Sequence, residues 1–240
     1  MAAKEPENSI KKKLVVLSGA GISAESGVAT FRGSNGLWEG YDIMEVASPD
    51  GWAKDNQMVL DFYNARRQNI TNVKPNKAHK ILADLEKDFE VNIVTQNIDN
   101  LHEQGGSTQV LHLHGEITKA CSSNMKRHIK DIGFTDIKHG DLCPDGYQLR
   151  PFIVWFGEDV PLISRASELV RSAEILLVIG TSLEVYPAAG LINYTQPNVT
   201  IYVIDPSNVI DKIQVSNKMI HIQKGGSEGM SELLEMLRKL

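Results

Sequence analysis

Cysteine is scarce in this chain: Cys121 and Cys143 are the only two in 240 residues. Two thiols build no disulfide framework, and their rarity suits a reducing compartment, so a cytoplasmic location is expected. A basic surplus is also missing. The formal net charge is −5, whereas proteins that coat nucleic acid carry a basic surplus or stripe. The one tight basic cluster, Lys11-Lys12-Lys13, reads as a solvated approach to the first strand. Nucleic acid is therefore not an expected partner. Long apolar runs are missing too. Leu14-Val15-Val16-Leu17 stops after four residues and meets Ser18-Gly19, too short for the core of a signal peptide. Nothing approaches the ~20 apolar residues that span a bilayer, so no membrane association is expected. There is no low-complexity run, heptad pattern or internal period, which sets aside collagen-like, coiled-coil and solenoid architectures. A monomer is expected.

What is present is an ordinary globular composition, 42% hydrophobic and 23% charged, in a chain long enough for one large domain with a small insertion. Short continuous apolar runs mark strands buried on both faces: residues 14–17, 91–95, 152–156, 175–179 and 200–204. Helical patterns lie between them, over 77–87, 164–173 and 231–240; the first carries Ala78, Ile81, Leu82 and Leu85 on one face. Strands alternating with helices predict an α/β fold with a Rossmann-like, doubly wound parallel sheet. Two segments break the rhythm. Residues 33–74 read as helix and loop, and residues 116–150 are polar and hold both cysteines. They are expected to form a small second domain inserted into a sheet domain built from 11–32, 75–115 and 151–240. Residues 1–10 are expected to be a disordered N-terminus. An insertion of this kind leaves a cleft where ligands bind.

Gly19-Ala20-Gly21-Ile22-Ser23-Ala24 follows the first strand and satisfies the G-x-G-x-x-G/A dinucleotide pattern. Gly19 permits a tight turn, Gly21 lets backbone approach a pyrophosphate, and the helix that follows is expected to offer open N–H groups. A dehydrogenase of this type places an acidic residue at a second strand end about 20 residues on. Here that stretch reads Arg32-Gly33-Ser34-Asn35-Gly36-Leu37-Trp38-Glu39 and is not a strand end, which argues against a plain dehydrogenase. Asn97 and Asp99 stand two apart after a strand, at the end where ligands bind in such sheets. His112 and His114 share one side of a β-like run, and alternation alone does not choose between them.

Taken in order, several motifs resemble those of the sirtuin family. Gly19–Ser23, Glu25-Ser26-Gly27 and Phe31-Arg32-Gly33 resemble its opening motif. Thr95–Asp99, Leu113-His114-Gly115, Arg150-Pro151 with Val154–Glu158, and Gly180-Thr181-Ser182 with Val185–Ala189 resemble the four that follow. The resemblance covers nearly the whole chain. It implies a Rossmann-like domain with a small zinc-ribbon-like domain, NAD⁺ consumed as a co-substrate, and acylated-lysine proteins or peptides as partners. It also selects His114 as the base. Asp99 and the Ile98 backbone would hold the nicotinamide carboxamide, while Gln96 and Asn97 would meet ribose or order water. Phe31 would cover the reactive ribose and Arg32 would pair with phosphate. Gly19, Ala20, Gly21, Ser23, Glu25, Gly180, Thr181, Ser182 and Gly226 complete the implied cofactor contacts. Val154, Trp155, Phe156, Gly157 and Glu158, with Val185 and Tyr186, would flank a substrate peptide added as a β-strand.

Tyr63 and Arg66 are three apart, hence on one face of a helix, where a hydroxyl and a guanidinium together suit a carboxylate. Tyr-x-x-Arg with Ala47 resembles the subclass of sirtuins that removes succinyl and malonyl groups, with acetyl retained as a substrate. The chain departs from the zinc pattern. Asn124 stands three after Cys121 and Gly146 three after Cys143, so each Cys-x-x-Cys pair is halved, and no metal is expected even with His128 and His139 nearby. Val203 or Ile204 stands where many sirtuins have an asparagine for the adenosine ribose, and Asp205 is the expected substitute. Two other readings share the fold: a protein ADP-ribosyltransferase, and a non-catalytic NAD or ADP-ribose sensor.

Overall fold

The computed structural model describes residues 11–30, 37–38 and 40–239. The expectations for residues 1–10, Phe31 and Arg32 lie outside them. In chain order the elements are β1 (Lys13–Ser18), α1 (Gly21–Ala24), β2 (Leu37–Trp38), β3 (Tyr41–Asp42), α2 (Ile43–Val46), α3 (Pro49–Lys54), α4 (Asn56–Asn69) and α5 (Lys77–Leu85). Then follow β4 (Glu90–Thr95), α6 (Leu101–Gly105), β5 (Val110–His112), β6 (Gly115–Ser122), β7 (Lys130–Asp131), β8 (Leu149–Ile153), α7 (Ile163–Arg171), β9 (Ile175–Ile179), β10 (Thr200–Ile204), β11 (Met219–Ile222) and α8 (Gly226–Leu237). Among the described residues no helix is long and apolar enough to cross a membrane.

The main sheet is all parallel, ordered β11-β10-β9-β1-β4-β5. Its central strands are nearly continuous Val, Leu and Ile because both faces are covered. On one face Leu14, Val16, Ile93, Leu177 and Ile204 pack on Leu82 and Leu85 of α5 and on Met230 and Leu233 of α8. On the other, Val15, Leu17, Val178 and Val203 pack on Ala166 and Val170 of α7. The chain runs outward from β1 through β4 and β5, then crosses to β9 and continues the other way. The order therefore reverses between β1 and β9, and ligands bind outside the carboxyl ends of strands at such a point.

Two expectations change. Residues 152–156 do not add a parallel strand. β8 pairs antiparallel with β6, in a separate sheet ordered β7-β6-β8, so this sheet extends past residue 150. An apolar run records burial but not which sheet will receive it. The last helix begins at Gly226 rather than near residue 231, because its first turn is capped from outside the helix. Gly225 brings no side-chain cap; the Glu25 carboxylate instead accepts from the Ser227 N–H at 3.2 Å.

Both histidines behind the sheet's end are fully buried. His79 Nδ1 donates to Asn76 Oδ1 at 3.1 Å, and His102 Nε2 bonds Ser18 Oγ at 2.9 Å. Their other ring nitrogens have no partner among the described residues. Burial pushes His79 down to about 4, and His102 well below the usual histidine value. The unfolded chain therefore takes up protons below pH 6.5 that the folded His79 refuses until about 4, and stability is lost as pH falls through that window. The loss approaches roughly 1.4 kcal/mol per pH unit for each such group. Thermal melts between pH 6.5 and 4 are expected to show a shallower decline in His79→Gln than in the wild type; parallel curves would remove His79 from the account.

Candidate active site

Two glycine loops meet at the reversal point. Gly21 N–H donates to the Gly180 carbonyl at 2.8 Å, and Gly19 N–H to that of Ile179 at 3.1 Å. A methyl at Gly19 would lie 2.7 Å from Thr181 Cβ, and one at Gly21 2.7 Å from Gly180 Cα. The loop opposite therefore demands glycine at both positions. Open N–H groups are also fewer than expected. α1 is a single turn, and Ile22 and Ser23 donate to the carbonyls of Gly19 and Ala20.

A cavity of about 660 Å³ opens at this point and runs on between the parallel sheet and the smaller sheet. Its wall includes Gly19, Ala20, Gly21, Glu25, Gln96, Asn97, Ile98, Asp99, His114, Gly180, Thr181, Ser182 and Gly226. At the other end it includes Ala47, Tyr63, Arg66, Val154, Trp155, Phe156, Gly157, Glu158, Val185 and Tyr186. Ser23 is the exception. It is 1% exposed and stands behind the wall, donating to Asp99 Oδ2 and accepting from Asn97 Nδ2, both at 3.1 Å. It positions the two side chains and does not itself face the cavity. Asp205 lines the wall at the end of β10, as expected of a ribose contact, while its Oδ1 accepts from the Ser207 N–H.

The two histidines separate clearly. His112 Nδ1 faces the Asn97 carbonyl at 2.9 Å and Nε2 faces Glu103 Oε1 at 2.8 Å. Burial opposes its charge, but Glu103 and the Asn97 carbonyl prevail and raise its pKa. It is a strut under the Asn97 backbone. Among the described residues His114 has one ring partner, the Gln96 carbonyl, 3.1 Å from Nδ1. A carbonyl only accepts, so Nδ1 carries the proton and Nε2 keeps a lone pair. Burial lowers the pKa of His114 and keeps it neutral. Gly115 follows with φ +82°, and a methyl there would lie 2.0 Å from the Phe152 carbonyl, so β8 demands glycine beside the histidine.

Asp99 is 5% exposed. Burial raises its pKa, against the N–H of Leu101 and the hydroxyl of Ser23, which favour the carboxylate. The Ile98 carbonyl accepts from the Ile117 N–H at 2.8 Å, which leaves chiefly the Ile98 N–H for a ligand. Gln96 is held from the far loop: its Nε2 donates to Thr181 Oγ1 at 3.1 Å.

At the opposite end Tyr63 is fully buried, and its oxygen accepts from Trp155 Nε1 at 3.1 Å. Arg67, next to Arg66, turns away from the cavity, donating through Nε to the Ile117 carbonyl at 2.8 Å and through Nη1 to Asn64 at 2.7 Å. Ala47 keeps this end wide and ties it to the far wall, its carbonyl accepting from the Phe156 N–H at 2.9 Å. The Glu158 carboxylate is committed to Arg150, Lys126 and the Trp155 N–H, so its side chain braces the wall of this segment. Sequence reasoning missed Trp38, Val28, Ala29, Ile117 and Ile153 as wall residues. Ile153 sat in a readable apolar run and Ile117 in a stretch read as polar, and nothing local told which way either would face.

The halved cysteine pairs do not assemble a metal site. Cys121 and Cys143 are free and buried, and burial pushes the Cys121 thiol up to about 11. His139 bonds Asn56, and His128 lies 3.8 Å from Asp145. Among the described residues no three His, Cys, Asp or Glu side chains gather as ligands, so the donors present do not fit a structural zinc. Leu60, Ala120, Ile137, Cys143 and Leu149 form the small core that holds this sheet.

Fold and cavity together define an α/β protein of the dinucleotide-binding type, with one cavity lined by the two glycine loops, by His114 and by Tyr63 and Arg66 of α4. Residues 19–187 match the model of the Sir2 family. A protein of Bacteroides thetaiotaomicron named NAD-dependent protein deacylase is 50% identical over 94% of this chain and 98% of its own length. A Helicobacter pylori protein of the same name is 57% identical over 81% of this chain and 85% of its own. Among solved structures, a Sir2 homologue in complex with NAD superposes with TM-score 0.83 at 37% identity, covering 95% of this chain and 90% of that one. A mutant Sir2 homologue bound to ADP-ribose gives 0.84 at 37% identity, covering 95% and 93%. The chain belongs to the Sir2, or sirtuin, family.

Proposed function

We propose that this chain removes acidic acyl groups of the succinyl and malonyl kind, together with acetyl, from protein lysines. It is an NAD-dependent protein deacylase; the finer reading concerns the acyl group. The observation that carries it is the donor balance at Tyr63. Its oxygen already accepts from Trp155, and its own hydrogen has no acceptor among the described residues, although the side chain is fully buried and faces the cavity. A buried donor without an acceptor is costly unless a ligand supplies one. Arg66, one turn along α4 and lining the same wall, adds a guanidinium. A phenol hydrogen and a guanidinium side by side suit a carboxylate.

In this reading the glycine loops hold the diphosphate end of NAD⁺. The Asp99 carboxylate accepts from the nicotinamide carboxamide, and the Ile98 N–H donates to it. NAD⁺ supplies the ribose carbon that the acyl oxygen attacks and nicotinamide as the leaving group. His114 Nε2 takes the proton from a ribose hydroxyl, and the buried wall keeps water away until the acyl group has moved. With one water consumed, the products are nicotinamide, O-acyl-ADP-ribose and free lysine. The peptide backbone lies between residues 154–158 and 184–186 as an added strand.

The test is nicotinamide release with matched acetyl- and succinyl-lysine peptides. Arg66→Met is expected to cut kcat/KM for the succinyl peptide by roughly 10- to 100-fold, the worth of a charge-assisted hydrogen bond, and to spare the acetyl peptide. Equal loss on both would make Arg66 structural. No release with either peptide would favour the sensor or ADP-ribosyltransferase readings.

A further inference from the structure

Arg66 sits in an aromatic box. Its guanidinium carbon lies over the Trp38 ring, 4.2 Å from the centroid, and 5.7 Å from the centroid of Phe62. Trp38 meets Phe62 edge-on at 5.1 Å and Tyr63 at 6.3 Å with the planes 86° apart. Trp38 and Arg66 are 8% and 7% exposed, and both line the cavity. Trp38 comes from a short hairpin: β2 pairs with β3, and Tyr41 of β3 packs on Phe62 at 5.4 Å. The hairpin and α4 thus close on the guanidinium from two parts of the chain.

An unrestrained arginine gives up several rotatable bonds when it grips a carboxylate. One stacked on an indole has given up much of that freedom beforehand, and the cation–π attraction is strongest where water is excluded. A ring stacked this way covers the face of a guanidinium and not its edge, where the N–H groups lie in the plane. Lysine has no plane to stack in this way.

We infer that Trp38 is a specificity-determining residue for the acyl group: its indole fixes Arg66 in the orientation that receives an acyl carboxylate. The inference rests on the acidic-acyl reading of this pocket and goes beyond it. The chain positions the selecting cation with a residue outside the Tyr-x-x-Arg pattern, and the choice of acyl group depends on the hairpin as well as on α4.

The experiment is the ratio of kcat/KM for succinyl over acetyl peptide in the wild type, Trp38→Phe, Trp38→Leu, Arg66→Met and the double variant Trp38→Leu with Arg66→Met. The ratio compares two substrates on one preparation, so a lower yield of folded enzyme does not enter it. Trp38→Leu is expected to lower the ratio roughly 5- to 30-fold, the span of a partly to fully desolvated cation–π contact, and Trp38→Phe to retain most of it. In the Arg66→Met background Trp38→Leu should add nothing, because the ring then has no cation to hold. A wild-type ratio in Trp38→Leu, with Arg66→Met still lowering it, would overturn the role of Trp38 and leave the acidic-acyl reading standing. A full additional loss in the double variant would also overturn it. An unchanged ratio in Arg66→Met would sink the reading itself.

Discussion

His114→Ala is expected to bind NAD⁺ about as the wild type does and to turn over roughly 10³-fold more slowly, within the range of 10²- to 10⁴-fold that a positioned general base supplies. The geometry sets both halves of this expectation. Among the described residues the ring makes one hydrogen bond, from Nδ1 to the Gln96 carbonyl, and none bonds Nε2. Removing the ring therefore deletes a lone pair from the cavity without dismantling a loop. Because burial holds its pKa below 6.5, the base stays unprotonated in mildly acidic solution, and the acidic limb of the kcat/KM profile should lie below that value. Isothermal titration with NAD⁺ alongside acyl-peptide turnover separates binding from chemistry. A variant that kept wild-type turnover would remove His114 from the mechanism, and one that lost NAD⁺ binding would make it a structural residue.

The second large effect is structural and acts at a distance from the reacting atoms. Gly180→Ala places a methyl 2.3 Å from the Ile22 nitrogen and 2.6 Å from the Gly21 carbonyl carbon, at φ +60°. The left-handed conformation alone costs an alanine roughly 1–2 kcal/mol. The collision is with backbone, so no flexible side chain can yield, and the two glycine loops must part. A total loss of about 3 kcal/mol or more is expected, near 10 °C in Tm at the 2–4 °C per kcal/mol usual for a chain of this size. NAD⁺ should also restore much less stability to the variant than to the wild type, because the loops that would receive it have separated. Thermal melts with and without NAD⁺ check both; unchanged melts would mean that the loops absorb the methyl.

The sequence disclosed most where residues of the cavity wall lie close together along the chain. The glycine fingerprint after β1, the Asn97–Asp99 pair after β4 and the Tyr63–Arg66 pair on α4 were readable because strand ends and helix faces are set by local spacing. The reasons behind some residues were not readable. Gly21 answers to Gly180, which is 159 positions away, and Gly115 answers to Phe152. A local pattern can say that a glycine is needed but not what crowds it. The same limit explains β8, whose apolar run predicts burial but not an antiparallel partner. It explains Ser23, whose place in the fingerprint suggested a ligand contact but whose hydroxyl serves Asp99 and Asn97. Trp38 carried no signal at all, since a lone tryptophan in an irregular stretch becomes informative only when Arg66 lies beneath it.

The course of Arg67 has a further consequence. Its Nε holds the Ile117 carbonyl, and the N–H of Ile117 holds the carbonyl of Ile98, next to Asp99. The helix that would read the acyl group and the loop that would grip nicotinamide thus hang on the N–H and the carbonyl of one residue, Ile117. Thermodynamic linkage runs equally in both directions. By whatever factor a seated acyl chain alters the hold on nicotinamide through this thread, nicotinamide alters the hold on that chain by the same factor. Any inhibition by released nicotinamide would then depend on the acyl group of the substrate as well as on the enzyme.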